Sequence, residues 1–201
     1  MTDLPFSQAC DNNREPILAV LRDAFASRRH VLEIGSGTGQ HSVYFAPQLP
    51  QLVWQTSELP AHHAGIRAWH AAHPAPNLRA PLALDLRDAA WPATADGAID
   101  AVFTANTSHI VSWPLVQRFF ELVGSHLPAG GVLAIYGPFN YGGQFTSDSN
   151  RAFDAWLRQR DAASGIRHIE DITALAAQHG LQLLHDHAMP ANNRSLVFQR
   201  R

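Results

Sequence analysis

Val31-Leu32-Glu33-Ile34-Gly35-Ser36-Gly37-Thr38-Gly39 is the stretch that decides the fold. A short apolar run carries an acidic residue near its end, and three glycines follow at alternate positions. Gln40 to Leu49 then reads as helix, with Gln40 to Ala46 its firmest part before Pro47 and Pro50. The order strand, glycine turn, helix start is that of a ligand loop. Glycines lack Cβ, tolerate positive φ and let backbone approach a ligand closely. The helix start beyond them presents unpaired N–H groups. The spacing narrows the choice. Gly35, Gly37 and Gly39 read G-x-G-x-G, whereas a dinucleotide fingerprint wants G-x-G-x-x-G. No Lys-Ser/Thr pair follows, which excludes a phosphate-cradling P-loop. Glu33 would repel a pyrophosphate and attract a cation.

Working outward, Met1 to Asn13 reads as polar and irregular, and Pro16 suits the first turn of a helix. Ile17, Leu18, Leu21, Ala24 and Phe25 follow a helical stripe ahead of a first strand, His30 to Ile34. Leu52 to Ser57 reads as a second strand ending at Glu58, about 20 residues past the glycines, where an acidic residue suits ribose hydroxyls. Ala61 to His73 reads as a helix, and His62, His63, His70 and His73 are expected on or beside it as a solvated face. Ala80 to Leu84 is a third strand, ending at Asp85-Leu86. Between Arg87 and Gly97, which holds Trp91-Pro92, any helix is brief. Ala98 to Thr104 is a fourth strand, with Asn106 to Ser112 a loop at its end and Ser112 a cap for the helix carrying Leu115, Phe119, Leu122 and Val123. Pro128 to Gly131 is a turn, Val132 to Tyr136 a fifth strand, and Gly137 to Gly143 a loop. Thr146 to Arg160 is a helix, and Ile169, Ile172, Leu175 and Ala176 mark another that Gly180 ends. Leu181 to His187 and Ser195 to Gln199 close the chain as two strands around a Pro190-Ala191-Asn192-Asn193 turn.

Alternating strands and helices argue for a doubly wound α/β fold, a mostly parallel sheet of seven strands with helices on both faces. The last two strands are too close in sequence to be parallel, so one strand near the C-terminus is antiparallel. Ligands of such sheets bind beyond the carboxyl ends of the strands. Glu33 to Gly39, Glu58, Asp85, Asn106 and Asn140 all fall there.

With 201 residues, 46% of them apolar, the chain suits one domain with a sizeable core. A formal net charge of -2 gives no positive field for nucleic acid. No apolar run reaches the length of a membrane span, and Met1 to Gln8 lacks a signal-peptide pattern. Cys10 is the single cysteine, so no internal disulfide forms and a cytoplasmic setting is expected. His185 and His187 share a strand face, but no third metal ligand is evident, so no metal is expected. Ser36 lies outside the G-x-S-x-G frame of a hydrolytic nucleophile. Trp113, Phe139, Tyr141, Phe145 and Trp156 divide between core and site.

The glycine stretch resembles the first motif of class I S-adenosylmethionine (SAM)-dependent methyltransferases, E/D-x-G-x-G-x-G. The whole chain is similar to a small methyltransferase-like family long catalogued as a domain of unknown function. The matching pieces are Phe6-Ser7-Gln8-Ala9, Asn13-Arg14-Glu15-Pro16-Ile17, Gly35 to His41, Trp54-Gln55-Thr56-Ser57-Glu58, Asn106-Thr107-Ser108-His109-Ile110, Gly137-Pro138-Phe139 and Phe145 to Asn150. Two positions depart from the pattern: Asn12 stands where Arg is expected and Thr56 where Pro is expected. The resemblance implies a Rossmann-like methyltransferase sheet, S-adenosyl-L-methionine as cofactor and a small-molecule methyl acceptor, with O-, N- or S-transfer open. SAM binding without methyl transfer, and an NAD(P)-dependent enzyme, are the alternatives.

On that resemblance Asn13, Glu33, Gly35, Ser36, Gly37, Gly39, Glu58, Asp85, Leu86 and Asn106 are expected to hold cofactor. Glu33 lies toward the methionine end, Glu58 accepts both ribose hydroxyls, and Asp85 with the Leu86 N–H faces adenine. His109 is the expected catalytic base, its ordinary pKa near 6.5 suiting proton uptake, with bracing of its own loop through a backbone carbonyl as the alternative. Tyr136, Asn140 and Phe145 are expected to hold the acceptor. Segments 1–16 and 141–160 are expected to act as lids over a single 1–201 domain.

Overall fold

The structure is a computed structural model that describes residues 4–88 and 90–201. In chain order its elements are α1 (Gln8–Ala24), β1 (His30–Ile34), α2 (Gln40–Phe45), β2 (Val53–Glu58), α3 (His63–Ala72), β3 (Leu78–Ala83), β4 (Ala101–Ala105), α4 (Trp113–His126), β5 (Val132–Gly137), β6 (Phe139–Asn140), α5 (Asp148–Arg160), β7 (Arg167–His168), α6 (Ile169–Gln178), β8 (Leu181–Met189) and β9 (Asn193–Arg200). Seven strands form one sheet in the order β3-β2-β1-β4-β5-β9-β8. β1 runs parallel to β2 and β4, and β2 parallel to β3. β9 is antiparallel to both neighbours, β5 and β8, so it is the one reversed strand. β6 and β7 pair separately. The chain divides into two compact units, one running to Thr104 and one spanning Ala105–Arg201.

In the first unit all five residues of β1 are buried, as befits a strand flanked on both edges. Phe45, Trp54 and Phe103 pack as one aromatic cluster, with ring centroids 5.4, 5.6 and 5.9 Å apart. α1 corrects the expectation of an irregular start. It begins eight residues before Pro16, because Ser7 caps it by accepting from the Cys10 N–H and Asn13 is buried against a partner. Pro16 therefore sits inside the helix rather than in its first turn. The histidines on and beside α3 divide: His62 and His73 are exposed, as expected of a solvated face, while His63 and His70 are drawn inward. His63 is buried and bonds the Glu58 carbonyl, His70 bonds the Ser42 hydroxyl, and His73 stacks on Trp69. Leu86 to Asp88 form a turn, and no helix occurs among the described residues of 87–97. Ala89 lies outside them.

In the second unit α4 buries Val116, Phe119, Phe120, Leu122 and Val123. Phe120 meets Phe198 of β9 edge-on at 6.1 Å. Ser112 stands at the N-cap position of α4 with extended backbone, but its side chain makes no capping bond, which corrects its expected role; Pro114 in the first turn already removes one of the donors a cap would serve. The stretch after β5 is not wholly loop: Phe139 and Asn140 form β6, in register with Arg167 and His168. α5 starts at Asp148, where Ser147 accepts from the Asn150 N–H.

Candidate functional site

The glycine turn leaves β1 with Gly35, Gly37 and Gly39 all at positive φ, of 75°, 56° and 89°. A side chain at Gly39 would press on the Ile66 backbone 3.0 Å away, so glycine is needed there for close packing as well as for the turn. The Ser36 hydroxyl is buried and donates to the Glu33 carbonyl at 3.4 Å.

Polar side chains around this turn are each held by a partner. Glu33 is 2% exposed and accepts from the Trp54 indole N–H at 3.0 Å. Burial pushes its carboxyl up to about 7. Glu58 accepts from the Gly37 N–H at 2.9 Å and from the Leu59 N–H at 2.8 Å. Asp85 accepts from the backbone N–H and the guanidinium of Arg87, and these bonds hold its carboxyl below the usual range. Leu86 is buried beside it. Asn13 is buried, and its Oδ1 lies 2.7 Å from His41 Nε2, so the ring donates there. Burial lowers His41 to about 4, and it is neutral at pH 7. Asn12 is exposed and accepts from Gln8.

The segment before α1 is tied to this turn. The Ser7 N–H donates to Gln40 Oε1 at 2.5 Å, and Gln40 Nε2 donates back to the Ser7 carbonyl at 3.3 Å. Trp69 Nε1 holds the Pro5 carbonyl at 2.7 Å. An open groove of about 150 Å³ runs beside it, lined by Phe6, Cys10, Arg14, Tyr44, Trp69 and others.

The second unit carries the remaining expected residues. Asn106 follows β4 at φ 58°, a left-handed backbone that Asn tolerates better than most residues. Its N–H donates to the Tyr136 carbonyl at 2.8 Å. His109 is 2% exposed and meets Phe153 edge-on at 5.4 Å. Its Nδ1 has no hydrogen-bond partner. Burial, with the Arg167 charge nearby, pushes the ring down to about 4, which corrects the ordinary pKa expected of it. His109 is therefore neutral at pH 7 and a weak base. Its Nδ1 and Asn106 Oδ1 flank Gly137, lying 3.5 and 4.0 Å from where a Cβ would stand. Tyr136 and Asn140 are buried, and Phe145 is half-buried under the Arg151 guanidinium. Tyr141 donates to Asp186, which Arg194 also holds. Among the described residues no three His, Cys, Asp or Glu side chains are grouped to hold a metal ion.

The family model described as protein of unknown function (DUF938) matches residues 4–200. The chain belongs to the DUF938 family. Its fold is also that of several solved methyltransferases. An O-methyltransferase family protein from Burkholderia thailandensis is 19% identical with a TM-score of 0.77, over 92% of this chain and 55% of that one. An O-methyltransferase family 2 protein from Planctomyces limnophilus DSM 3776, solved in complex with apigenin, is 16% identical at 0.78, over 94% and 57%. PigF, solved with SAH, is 16% identical at 0.80, over 94% and 56%. This DUF938 chain thus spans about half the length of these proteins, and the likeness is one of fold.

Two features of this DUF938 chain escape sequence reading. Trp54 stands in a matching stretch with no role of its own, yet its indole N–H donates to Glu33; a buried indole needs an acceptor, and that need is the available signal. Ser164 to Arg167 organise the loop bearing His109, and no motif marks them.

Proposed function

We propose that the chain is a SAM-dependent methyltransferase acting on a small-molecule acceptor, the whole of 1–201 serving as one catalytic domain. The observation that supports this best is the pairing of two strand-end carboxylates with the glycine turn: Glu58 on the Gly37 N–H, and Glu33 buried behind it. A doubly acidic site suits a ligand with an ammonium and a sulfonium, and it opposes the pyrophosphate of a nicotinamide dinucleotide. The Glu58 carboxylate has lone pairs beyond those used by the Gly37 and Leu59 N–H groups, and these suit two ribose hydroxyls.

In this reading SAM, when bound, supplies a methyl group on cationic sulfur. Gly35, Ser36, Gly37 and Gly39 offer backbone to its amino acid and ribose parts, Glu33 neutralises its methionine end, and Asn13 and Asn106 are each assigned to the cofactor. Asp85 takes the adenine amino group, in competition with Arg87, and the Leu86 N–H faces the ring. Displacement at the methyl carbon asks the protein mainly for alignment at about 3–3.5 Å. His109, with Tyr136, Asn140 and Phe145, is assigned to the acceptor. A ring held near 4 aligns an acceptor hydroxyl through a hydrogen bond better than it stores its proton, so an acceptor whose own proton leaves readily suits it. Segments 1–16, of which residues 1–3 lie outside the described residues, and 141–160 serve as lids that exclude water. A reducing cytoplasm suits the single thiol of Cys10.

Calorimetry with SAM on Gly37→Val and Glu58→Ala tests the reading. Each is expected to weaken binding at least about tenfold, the effect of one charge-assisted contact. SAM affinity unchanged in both variants, or NAD(H) bound in place of SAM, overturns it.

A further inference from the structure

The loop after β4 is held in an unusual way. Four consecutive carbonyls accept from one short segment. Arg167 Nε donates to Ser108 at 3.0 Å, the Gly165 N–H to His109 at 2.9 Å, the Ser164 hydroxyl to Ile110 at 2.5 Å, and Arg167 Nη2 to Val111. Nη2 also reaches the Ala163 carbonyl at 3.0 Å. The segment is itself anchored. Gly165, at φ 149°, lies against Arg158 and Asp154, where a Cβ would stand 2.5 Å from Arg158 Nη2. Asp154 accepts from the Ile166 N–H at 2.7 Å and pairs with Arg158. One residue on, β7 fixes β6 and so Asn140.

Four carbonyls of this loop are thus satisfied, while two of its side chains and one on β6 are not. Ser108 Oγ, His109 Nδ1 and Asn140 Oδ1 are buried with no hydrogen-bond partner. Each such atom costs the folded state roughly the desolvation of a polar group. A loop clamped by its carbonyls, with Ser108 and His109 left unmatched, is prepared for a ligand. The charged groups on the clamp are already committed: Arg167 to three carbonyls and Asp154 to Ile166 and Arg158. An anionic ligand would find the Nε and Nη2 donors of Arg167 already taken by carbonyls, and a cationic ligand would meet its positive charge. A neutral group that both donates and accepts would match a hydroxyl, an imidazole and an amide.

We infer that Ser108, His109 and Asn140 form a preformed site for a neutral, hydroxyl-bearing methyl acceptor, and that Arg167 is the positioning residue that holds it. The inference rests on the methyl-transfer reading for the identity of the ligand as acceptor, and not for its chemistry.

The test is direct binding to the SAH-saturated protein, read by ligand-observed NMR with three single-ring probes: catechol, benzoate and benzylammonium. Catechol is expected to bind, and the two ions to bind at least about tenfold more weakly. Ser108→Ala is expected to weaken catechol about fivefold, the size of one hydrogen bond, with Tm unchanged or slightly raised, because the hydroxyl it removes has no partner to lose. Arg167→Lys keeps the charge but cannot span the carbonyls of Ser108 and Val111. Like Arg167→Met, it is expected to weaken catechol and to quicken amide exchange at Ile110, Val111 and Gly165, with SAM affinity unchanged. Tighter binding of either ion, absence of catechol binding, catechol affinity unchanged in Ser108→Ala, or full rescue by Arg167→Lys overturns the inference. Loss of SAM binding by the unaltered protein while catechol still binds overturns the methyl-transfer reading instead.

Discussion

The glycine turn of the first unit and the loop after β4 in the second treat their polar groups in opposite ways. Around the glycine turn of the first, each acidic side chain has an internal partner: Trp54 for Glu33, Gly37 for Glu58, Arg87 for Asp85. Around Asn106 to Val111 of the second, the backbone is tied down while Ser108, His109 and Asn140 keep unmatched atoms. A ligand of the first set must displace or share existing bonds, so its affinity is the difference between two sets of hydrogen bonds. A ligand of the second set relieves a cost that the folded chain already carries.

That contrast breaks first at Glu33. Its carboxyl is raised from 4.5 to about 7 by burial, so the folded protein binds a proton that the unfolded chain has released. The stabilising protonated form is fully present below about 4.5, and its benefit is lost as pH rises through 7. Glu33→Gln mimics that form and can still accept from Trp54. It is expected to be more stable than the parent by at most about 3 kcal/mol at pH 8 and equal to it at pH 4.5, with weaker SAM binding. Urea titrations at the two pH values check this; a parent more stable than the variant at pH 8 would show that Glu33 is better served as an anion.

The second comparison pits two buried asparagines against each other. Asn13→Ala strands His41 without its partner and is expected to cost about 1–3 kcal/mol. Asn140→Ala removes an oxygen with no partner and is expected to cost under about 1 kcal/mol. Equal losses on chemical denaturation would erase the distinction between the units.

The smallest effect on stability belongs to Arg87→Ala. The Arg87 side of its pair with Asp85 is exposed, and stability is expected to be unchanged in thermal unfolding. Removing this competitor frees Asp85, so SAM affinity is expected to rise a few-fold by calorimetry. A fall would mean that Arg87 itself contacts the cofactor.

Much of this architecture is legible in the residues because its signals are local. The strand at His30 to Ile34, the turn at Gly35 to Gly39 and the hairpin around Pro190 to Asn193 each carry their pattern within ten residues. The errors arise where a distant partner decides. Asn13 is polar and reads as loop, but His41 makes it a helix interior. His63 and His70 read as solvated, but the fold brings a carbonyl to one and a hydroxyl to the other, so that His63 is buried and His70 half-buried. His109 reads as an ordinary imidazole, and its enclosure moves it two and more decades in acidity. Arg167 was invisible because an arginine that binds four-residue backbone geometry leaves no spacing in sequence.

β9 has a consequence for how the chain is made. It is the last strand in chain order, yet it takes an inner place in the sheet between β5 and β8. During synthesis β5 emerges some sixty residues before its neighbour, and β8 has nothing to pair with until residues 193–200 have cleared the ribosome. At roughly 5–20 residues per second, β5 waits several seconds with one edge bare. The second unit therefore completes its sheet in a single late event, and a nascent chain stalled short of Asn193 presents two open strand edges to whatever chaperone or neighbour is at hand.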